Sequence, residues 1–413
     1  MSKLIERKIY TFLFSLLPIS IVIGSAVSLV NIILICLGYL IFFFIEKDFS
    51  FLKNISFILL SAIFFYLILN TFFALDFQLA ATRNFGFLRF ILIFIIINHF
   101  FYNYKSFSFI YKIWLFVILV ILFDSYIEFW FGKNTLGFGE DYGDRIVSFF
   151  QDEPVVAAFL NGFCFLLIGY LFDRYYKKNF YLKFFFYFFV IAFLMCIILT
   201  GERSNAIKGI FGLFIFFSLN NNISLKSKIL TIFGILTLFS LISYNSAYVK
   251  YRFFEAFINP LVDKKIRSDY LKKNIYINLY KSGFEVFKKY PILGVGNKNY
   301  RIETSNNKNN DMYKTSTHPH QIYIEFLSEH GLLGTTILLF LFFFLMFKNL
   351  KTIINSRNSI QLGAFSYLCS VFLPLLPSGS FFSDFNITLF FMNISIMYAC
   401  NPHTNIFKKK HKI

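Results

Sequence analysis

The sequence predicts an all-α polytopic membrane protein with about twelve transmembrane helices, and three observations carry that expectation. Hydrophobic residues make up 57% of the 413 residues and the mean hydropathy is +0.63, values typical of multispanning membrane chains. The apolar runs have bilayer length, roughly 17 to 25 residues, with some shorter and tilted. The net charge of +18 comes from Lys and Arg in short segments between those runs, as the positive-inside rule requires, and this argues against nucleic acid as a partner. The 64 Phe and 25 Tyr are spread through every apolar run with Ile, Asn and Lys, a pattern of codon bias rather than a binding platform.

At the N-terminus, Lys3, Arg7 and Lys8 precede an apolar run from Tyr10. This imitates a secretory signal, but a second run follows at once without a cleavage site, so a retained first helix is expected. The runs fall near 9–24, 26–45, 55–75, 85–101, 109–131, 155–172, 180–199, 205–219, 228–245, 331–347, 359–376 and 385–400. Alternate connections carry Lys47 and Lys53; Lys105; Arg174, Lys177 and Lys178; Lys226 and Lys228; Lys348, Lys351 and Arg357; and the tail Lys408, Lys409, Lys410 and Lys412. The opposite short connections carry only Arg83, Lys133, Arg145 and Arg203. Both termini are therefore expected in the cytoplasm. The five cysteines, Cys36, Cys164, Cys196, Cys369 and Cys400, lie in or at the ends of apolar runs without a C-x-x-C, as packing residues do.

No internal repeat or low-complexity linker divides the chain. Residues 1–245 read as nine membrane helices, 246–330 as a large outer loop, and 331–413 as three more helices and a basic cytoplasmic tail. An earlier outer loop, Gly132–Pro154, holds Glu140, Asp141, Asp144, Arg145, Asp152 and Glu153. It contains no D-x-D, and no metal is expected there. The large loop is too long for a simple connection. Within it Tyr276, Leu279, Tyr280, Gly283, Phe284 and Phe287 form one apolar stripe at helical spacing, ended by Pro291. Lys272, Lys273, Lys281, Lys288 and Lys289 make the other side basic. Such a helix lies on the membrane surface, covers a cavity, or packs on its own loop. Gly294-Val295-Gly296-Asn297 reads as a turn and lacks the lysine of a nucleotide-binding loop.

The stretch from Thr317 to Leu332 brings three of the six histidines, His318, His320 and His330, to one hydrophobic helix. Pro319 is expected at the first helical position and His318 at the cap, which would set His320 among unpaired backbone N–H groups. A helix start disfavours imidazolium and attracts anions, so a neutral histidine there suits a base beside a phosphate. The bland alternative is a pair of solvated loop histidines. Glu325 and Glu329 fall on another face and read as solvated or capping carboxylates.

Ionisable residues in membrane helices are costly and default to functional or paired roles. Arg83 and Arg89 flank the start of the fourth run, Asp124 and Glu128 share one face of the fifth, and Arg203 opens the eighth. All lie toward the same outer side as His320. The structural alternative is an ion pair between Arg89 and Asp124, with Arg203 snorkelling to the interface.

The residues from His320 to Gly334 closely resemble the signature of the O-antigen ligase and polymerase superfamily: His-Asn, an aromatic and apolar stretch, then Glu-x-Gly before a membrane helix. Tyr290–Asn297 looks like that family's Pro-x-x-Gly-x-Gly element, Thr200–Ser204 like its Thr-x-Ser-Arg segment with Glu202 replacing Ser, and Arg145–Phe150 like a further element. The resemblance spans roughly 145–335. It implies a glycosyltransferase of the C-type membrane class (GT-C-like), taking a glycan from an undecaprenyl diphosphate carrier to a glycolipid or glycan acceptor. The reaction would occur on the periplasmic side of a bacterial inner membrane, without metal or other cofactor. By position, His320 would be the catalytic histidine and Arg203 a diphosphate-binding arginine. Gln321 departs from the usual Asn. A second arginine, expected in the large loop, has no clean match; Arg267, Lys272 and Lys273 are candidates.

Glycosyl transfer from a lipid diphosphate needs a base for the acceptor hydroxyl, a role for His320, and cations for the leaving diphosphate, a role for Arg203 and Arg89. Arg83, Arg145 and His318 are further substrate-binding candidates, and Asp124 and Glu128 possible supporting carboxylates. A ligase transferring to lipid A core and a polymerase differ only in acceptor. A lipid-linked glycan flippase would be expected to place its polar groups at the bilayer midplane; an oligosaccharyltransferase acting on protein is a third alternative.

Overall fold

The structure, a computed structural model, describes residues 3–46, 48–104, 107–139, 145–151, 153–176, 178–307 and 310–407. Glu140, Asp141, Asp144, Asp152, Lys47, Lys105, Lys177 and the lysines of the C-terminal tail lie outside the described residues. Every regular element among those described is helical. In chain order they are α1 (Lys3–Ser15), α2 (Leu17–Ile23), α3 (Ser25–Glu46), α4 (Ile55–Phe72), α5 (Phe77–Gly86), α6 (Leu88–Tyr104), α7 (Phe107–Phe131), α8 (Val156–Leu171), α9 (Phe180–Leu199), α10 (Arg203–Leu219) and α11 (Leu225–Asn245). The large loop adds α12 (Ala247–Lys250), a π-helical turn (Tyr251–Ile258), α13 (Asn259–Val262), α14 (Lys264–Lys273), α15 (Ile275–Lys289) and α16 (Tyr300–Asn306). The chain ends with α17 (Ile322–Phe347), α18 (Leu350–Asn355), α19 (Ser359–Val371) and α20 (Asp384–Ala399).

Each of the twelve apolar runs is helical, but seven helices among the described residues are long and apolar enough to cross a membrane. Of the others, α19 has 13 residues and α20 has 16. Several boundaries follow from local chemistry. Asn54, Asp76, Asn179, Asn274 and Ser383 each accept a backbone N–H through the side chain at a helix start, which satisfies donors the first turn leaves unpaired.

α8 is the central helix, with nearly every side chain buried between α7, α9, α10, α19 and α20. Close backbone approach permits this. A Cβ on Gly169 would fall 2.3 Å from the Ser359 carbonyl oxygen, and one on Gly363 2.1 Å from that of Phe165, so small residues set the helix spacing as they do in lipid. α11 lies at the other extreme, with Leu230, Phe233 and Leu241 facing outward.

The two ends of the bundle differ. At one, Asn221 and Asn222 of the α10–α11 turn donate to the carbonyls of Ile354 and Arg357, and Asp173 accepts from the Ser359 N–H at 2.9 Å. At the other end of α10, about 25 Å away for 17 residues at 1.5 Å each, lie Arg203 and the helices of the large loop. α15 packs its buried residues Leu279, Ser282, Gly283 and Val286 against α17 and the segment before it; a Cβ on Gly283 would meet Ile324 and Pro319. The amphipathic helix thus rests on its own loop, while Tyr276 and Tyr280 turn to a cavity.

Candidate active site

The element that organises this cavity is a break in α17. Gly331 has φ +63° and ψ −171° within the helix, a left-handed φ that favours glycine. The carbonyls exposed by the break are met by the turn at 291–296. Leu332 N donates to the Pro291 carbonyl at 2.8 Å, Val295 N to that of Ser328 at 3.0 Å, and Gly296 N to that of Glu329 at 2.9 Å. The Pro-x-x-Gly-x-Gly turn and the Glu-x-Gly segment are therefore one unit, two backbones locked at a kink. A Cβ on Gly331 would sit 2.3 Å from the Ile292 carbonyl oxygen.

The carboxylates of α17 serve the same purpose: of the two expectations, solvated or capping, the solvated one is corrected. Both Glu325 and Glu329 are buried. Glu329 accepts the Lys298 N–H at 2.8 Å and that of Tyr300 at 3.3 Å, and Glu325 accepts from Ser380 and from the Phe381 N–H at 3.0 Å. One carboxylate fixes the turn that starts α16; the other fixes the α19–α20 connection.

The helix expected from Pro319 starts later. His320 has φ +56°, which costs a non-glycine residue roughly 1–2 kcal/mol and stops a helix from running through it. α17 begins at Ile322, with extended Gln321 as the cap, its side chain accepting from the Ile324 N–H at 2.8 Å. The physical cause is the α19–α20 connection: Ser378 N donates to the His320 carbonyl at 2.9 Å and holds the bend that propensity alone would have straightened.

His318 lies beside it, ring centroids 3.9 Å apart. His318 Nε2 meets the Ser378 carbonyl at 3.3 Å and Nδ1 meets the Thr317 hydroxyl at 2.9 Å. A carbonyl only accepts, so Nε2 carries the proton and Nδ1 accepts from Thr317. Burial, then the neighbouring His320, pushes the His318 pKa down to about 3. Burial also holds His320 below the ordinary histidine value. Neither ring nitrogen of His320 has a hydrogen-bond partner among the described residues, and Tyr276 stands edge-on at 5.9 Å. Burial thus favours the neutral imidazole of His320, and both ring nitrogens are free of hydrogen bonds among the described residues.

His318 and His320 line a cavity of about 1120 Å³ together with Arg83, Arg145 and Arg203. Arg203 opens α10 after Gly201 and Glu202. Buried Glu202 accepts the Ala157 N–H and the Asn205 side chain, both at 2.7 Å, and so ties the starts of α8 and α10. Burial pushes its pKa up to about 7. Arg203 donates to the Arg252 carbonyl at 3.2 Å and lies 5.1 Å over the Phe257 ring, while Arg252 donates to the Gly201 carbonyl at 2.9 Å.

Arg252, Arg301 and Lys208 also line the cavity and escaped sequence reading. Arg252 is a loop arginine paired with Arg203, a place the candidates Arg267 and Lys273 do not take, since both stand exposed on α14 away from the cavity lining. Its signal was present: it is the first arginine after the α11 run. Arg301, just past the glycine turn, had the same kind of cue. Lys208 lies on α10 one turn and a half beyond Arg203 and reads as an interior charge.

Arg89 is not in the cavity lining. It pairs with Asp384, which corrects the alternative of an Arg89–Asp124 pair. Asp124 instead accepts from Thr135 and Ser148, and Glu128 accepts the N–H groups of Val147 and Ser148 at 2.8 and 2.6 Å. These two carboxylates shape the loop that carries Arg145 and do not face the histidines. Buried polar atoms along the lining remain without a partner: Arg252 Nε, Arg301 Nε, Tyr280 OH, Asn161 Oδ1 and Ser378 Oγ. Such groups are normally satisfied, so the cavity is shaped for a polar ligand.

Comparison with known families matches residues 187–339, from α9 to the second half of α17, to the O-antigen ligase family model. That span contains Arg203, Arg252, the glycine turn, Arg301 and both cavity histidines. No curated protein matches the chain.

Proposed function

We propose, from the premise that this chain belongs to the O-antigen ligase and polymerase superfamily, that it is a metal-independent membrane glycosyltransferase using an undecaprenyl diphosphate-linked glycan as donor. The observation that carries this reading is the convergence of His320, whose ring has no hydrogen-bond partner among the described residues, and five arginines on one cavity against three carboxylates, Glu153, Glu202 and Asp384.

The acceptor hydroxyl attacks the anomeric carbon of the donor glycan and gives its proton to a ring nitrogen of His320. The bond from that carbon to the diphosphate oxygen breaks, and the electron pair stays on the diphosphate. Arg203 and Arg252, with Arg145 near them, stabilise that charge; guanidinium keeps its proton and matches paired phosphate oxygens. His318 holds the His320 ring by a close, tilted ring contact, with its own proton committed to Ser378.

In this reading the site faces the periplasm from a bacterial inner membrane, and the distribution of cations supports it. Lys226, Lys228, Lys348 and Arg357 gather near the far end of the bundle, where positive-inside sorting puts the cytoplasm. Cysteines at Asn310 and Lys226, both exposed, test this: an impermeant thiol reagent should label the first in cells with a permeabilised outer membrane. Labelling of Lys226→Cys alone reverses the orientation.

Transfer to lipid A core is the preferred reaction, and polymerisation onto another carrier-linked glycan is the second reading. Transfer in vitro from a purified lipid diphosphate glycan should persist in EDTA. Deletion should remove capped lipopolysaccharide entirely if the chain is a ligase; a single retained repeat identifies a polymerase.

A further inference from the structure

The cations of the cavity fall into two groups with the histidines between them. Arg203 and Arg252 are joined through backbone carbonyls and stand on the Tyr276 side of His320. Arg301 stands on the His318 side, and Arg83 belongs with it. The glycine turn brings these two together. Asn297, four residues before Arg301, donates to Asn84 Oδ1 at 2.7 Å, and Asn84 is the neighbour of Arg83.

This second group is under-compensated. Asp384 is 3.9 Å from Arg83 but is engaged by Arg89, and Arg83 otherwise donates to the Phe382 carbonyl. The carboxylates of Glu325 and Glu329 are nearby and are held by backbone N–H groups and Ser380. The guanidinium of Arg301 feels the charge of Glu325 and Glu329 but has no hydrogen-bond partner among the described residues, and its Nε is buried. Ser378 Oγ is likewise buried and unpartnered at the cavity wall. A buried guanidinium atom without an acceptor is costly, and an oxyanion is the ligand that would satisfy it.

We infer that Arg301 and Arg83, with the Ser378 hydroxyl, form a second oxyanion subsite, distinct from the diphosphate site, that binds a phosphate or carboxylate group on the acceptor. Its assignment to the acceptor rests on the glycosyl-transfer reading above, since the hydroxyl to be deprotonated must approach His320 from the side opposite the leaving diphosphate. The subsite selects acidic acceptors over neutral ones.

Two soluble probes test this on the full chain in nanodiscs: farnesyl diphosphate for the donor end, and a hexose 6-phosphate, with glucuronate beside it, for the second. Both kinds of probe should bind wild type together. Arg301→Gln should weaken the hexose phosphate about 10- to 100-fold, the range for a hydrogen bond to a charged group, and leave farnesyl diphosphate unchanged; Arg203→Gln should do the reverse, and Arg301→Lys should retain part of the affinity. A tighter grip on hexose phosphate identifies a phosphate site, and on glucuronate a carboxylate site. Mutual competition in wild type, which needs no variant to fold, or failure of both acidic sugars to bind, overturns the second subsite. Failure of farnesyl diphosphate alone overturns the donor reading and leaves the subsite standing.

Discussion

Asn297 donates its side-chain N–H to Asn84 Oδ1 at 2.7 Å, and both residues are buried. The bond ties the glycine turn of the large loop to α5, the helix that carries Arg83. Asn84 also donates to the Leu67 carbonyl and to Thr71, so α4, α5 and the turn share one polar junction.

Asn297→Ala should therefore destabilise the protein by about 1–3 kcal/mol, the penalty of leaving a buried carbonyl oxygen unpaired. In a double-mutant cycle with Asn84→Ala the two losses should fall short of additive. Thermal unfolding in detergent measures both, and simple additivity would show that the bond contributes nothing.

Gly331 is the second structural test. A methyl group there meets the Ile292 backbone on top of a left-handed φ that alone costs roughly 1–2 kcal/mol. Gly331→Ala should lower stability by more than that figure, because the turn must move as well. Gly234 in α11 has nothing within 4 Å of a Cβ, and Gly234→Ala should be neutral or stabilising by up to about 1 kcal/mol. Equal effects at both glycines would remove the kink from its central role.

Helical runs were legible because hydrophobicity and length are local properties; α15, for example, spans Ile275–Lys289 as its stripe predicts. Chemistry-bearing residues that need the tertiary fold were not. Arg252 and Arg301 carry only a positional cue, after the α11 run and after the glycine turn; they reach the cavity lining because α10 and that turn bring them there. The start of α17 was misplaced for a related reason. Pro319 and His320 obey helix-start preference locally, yet a hydrogen bond from Ser378, 58 positions later in the sequence, holds His320 in a bend. The partner of Arg89 is not legible in the sequence, because chain order does not tell which carboxylate, Asp124 or Asp384, faces it.

Arg203→Lys should lose much of the transfer activity with normal expression, chiefly through a raised KM for the lipid donor. Lysine keeps the charge but loses the planar fork that reaches the Arg252 carbonyl and lies over Phe257. Near-wild-type activity would assign Arg203 to snorkelling instead.

His318 separates stability from chemistry. Its folded pKa of about 3 lies below the unfolded value near 6.5, so the unfolded chain binds the proton more readily. The neutral ring is no liability above pH 6.5, and stability falls as pH drops from there toward 3. At pH 5 the loss should be about 2 kcal/mol from this residue. His318→Gln should flatten that part of the dependence of the melting temperature on pH; an unchanged slope would show that His318 is not held neutral.

His320→Ala should lower transfer about 10²- to 10⁴-fold with folding and farnesyl diphosphate binding intact, and His318→Ala should cost less, through a loosened His320 ring. Activity of the first with death of the second would exchange their roles. The pH profile gives the sign independently. A base acts when neutral, and burial lowers the His320 pKa, so kcat/KM for the donor should hold as pH falls to about 6.5 and decline only below it. An acid limb centred above 6.5 would mean that the protein favours imidazolium at this position, against the direction in which burial pushes it, and would leave another group to take the proton.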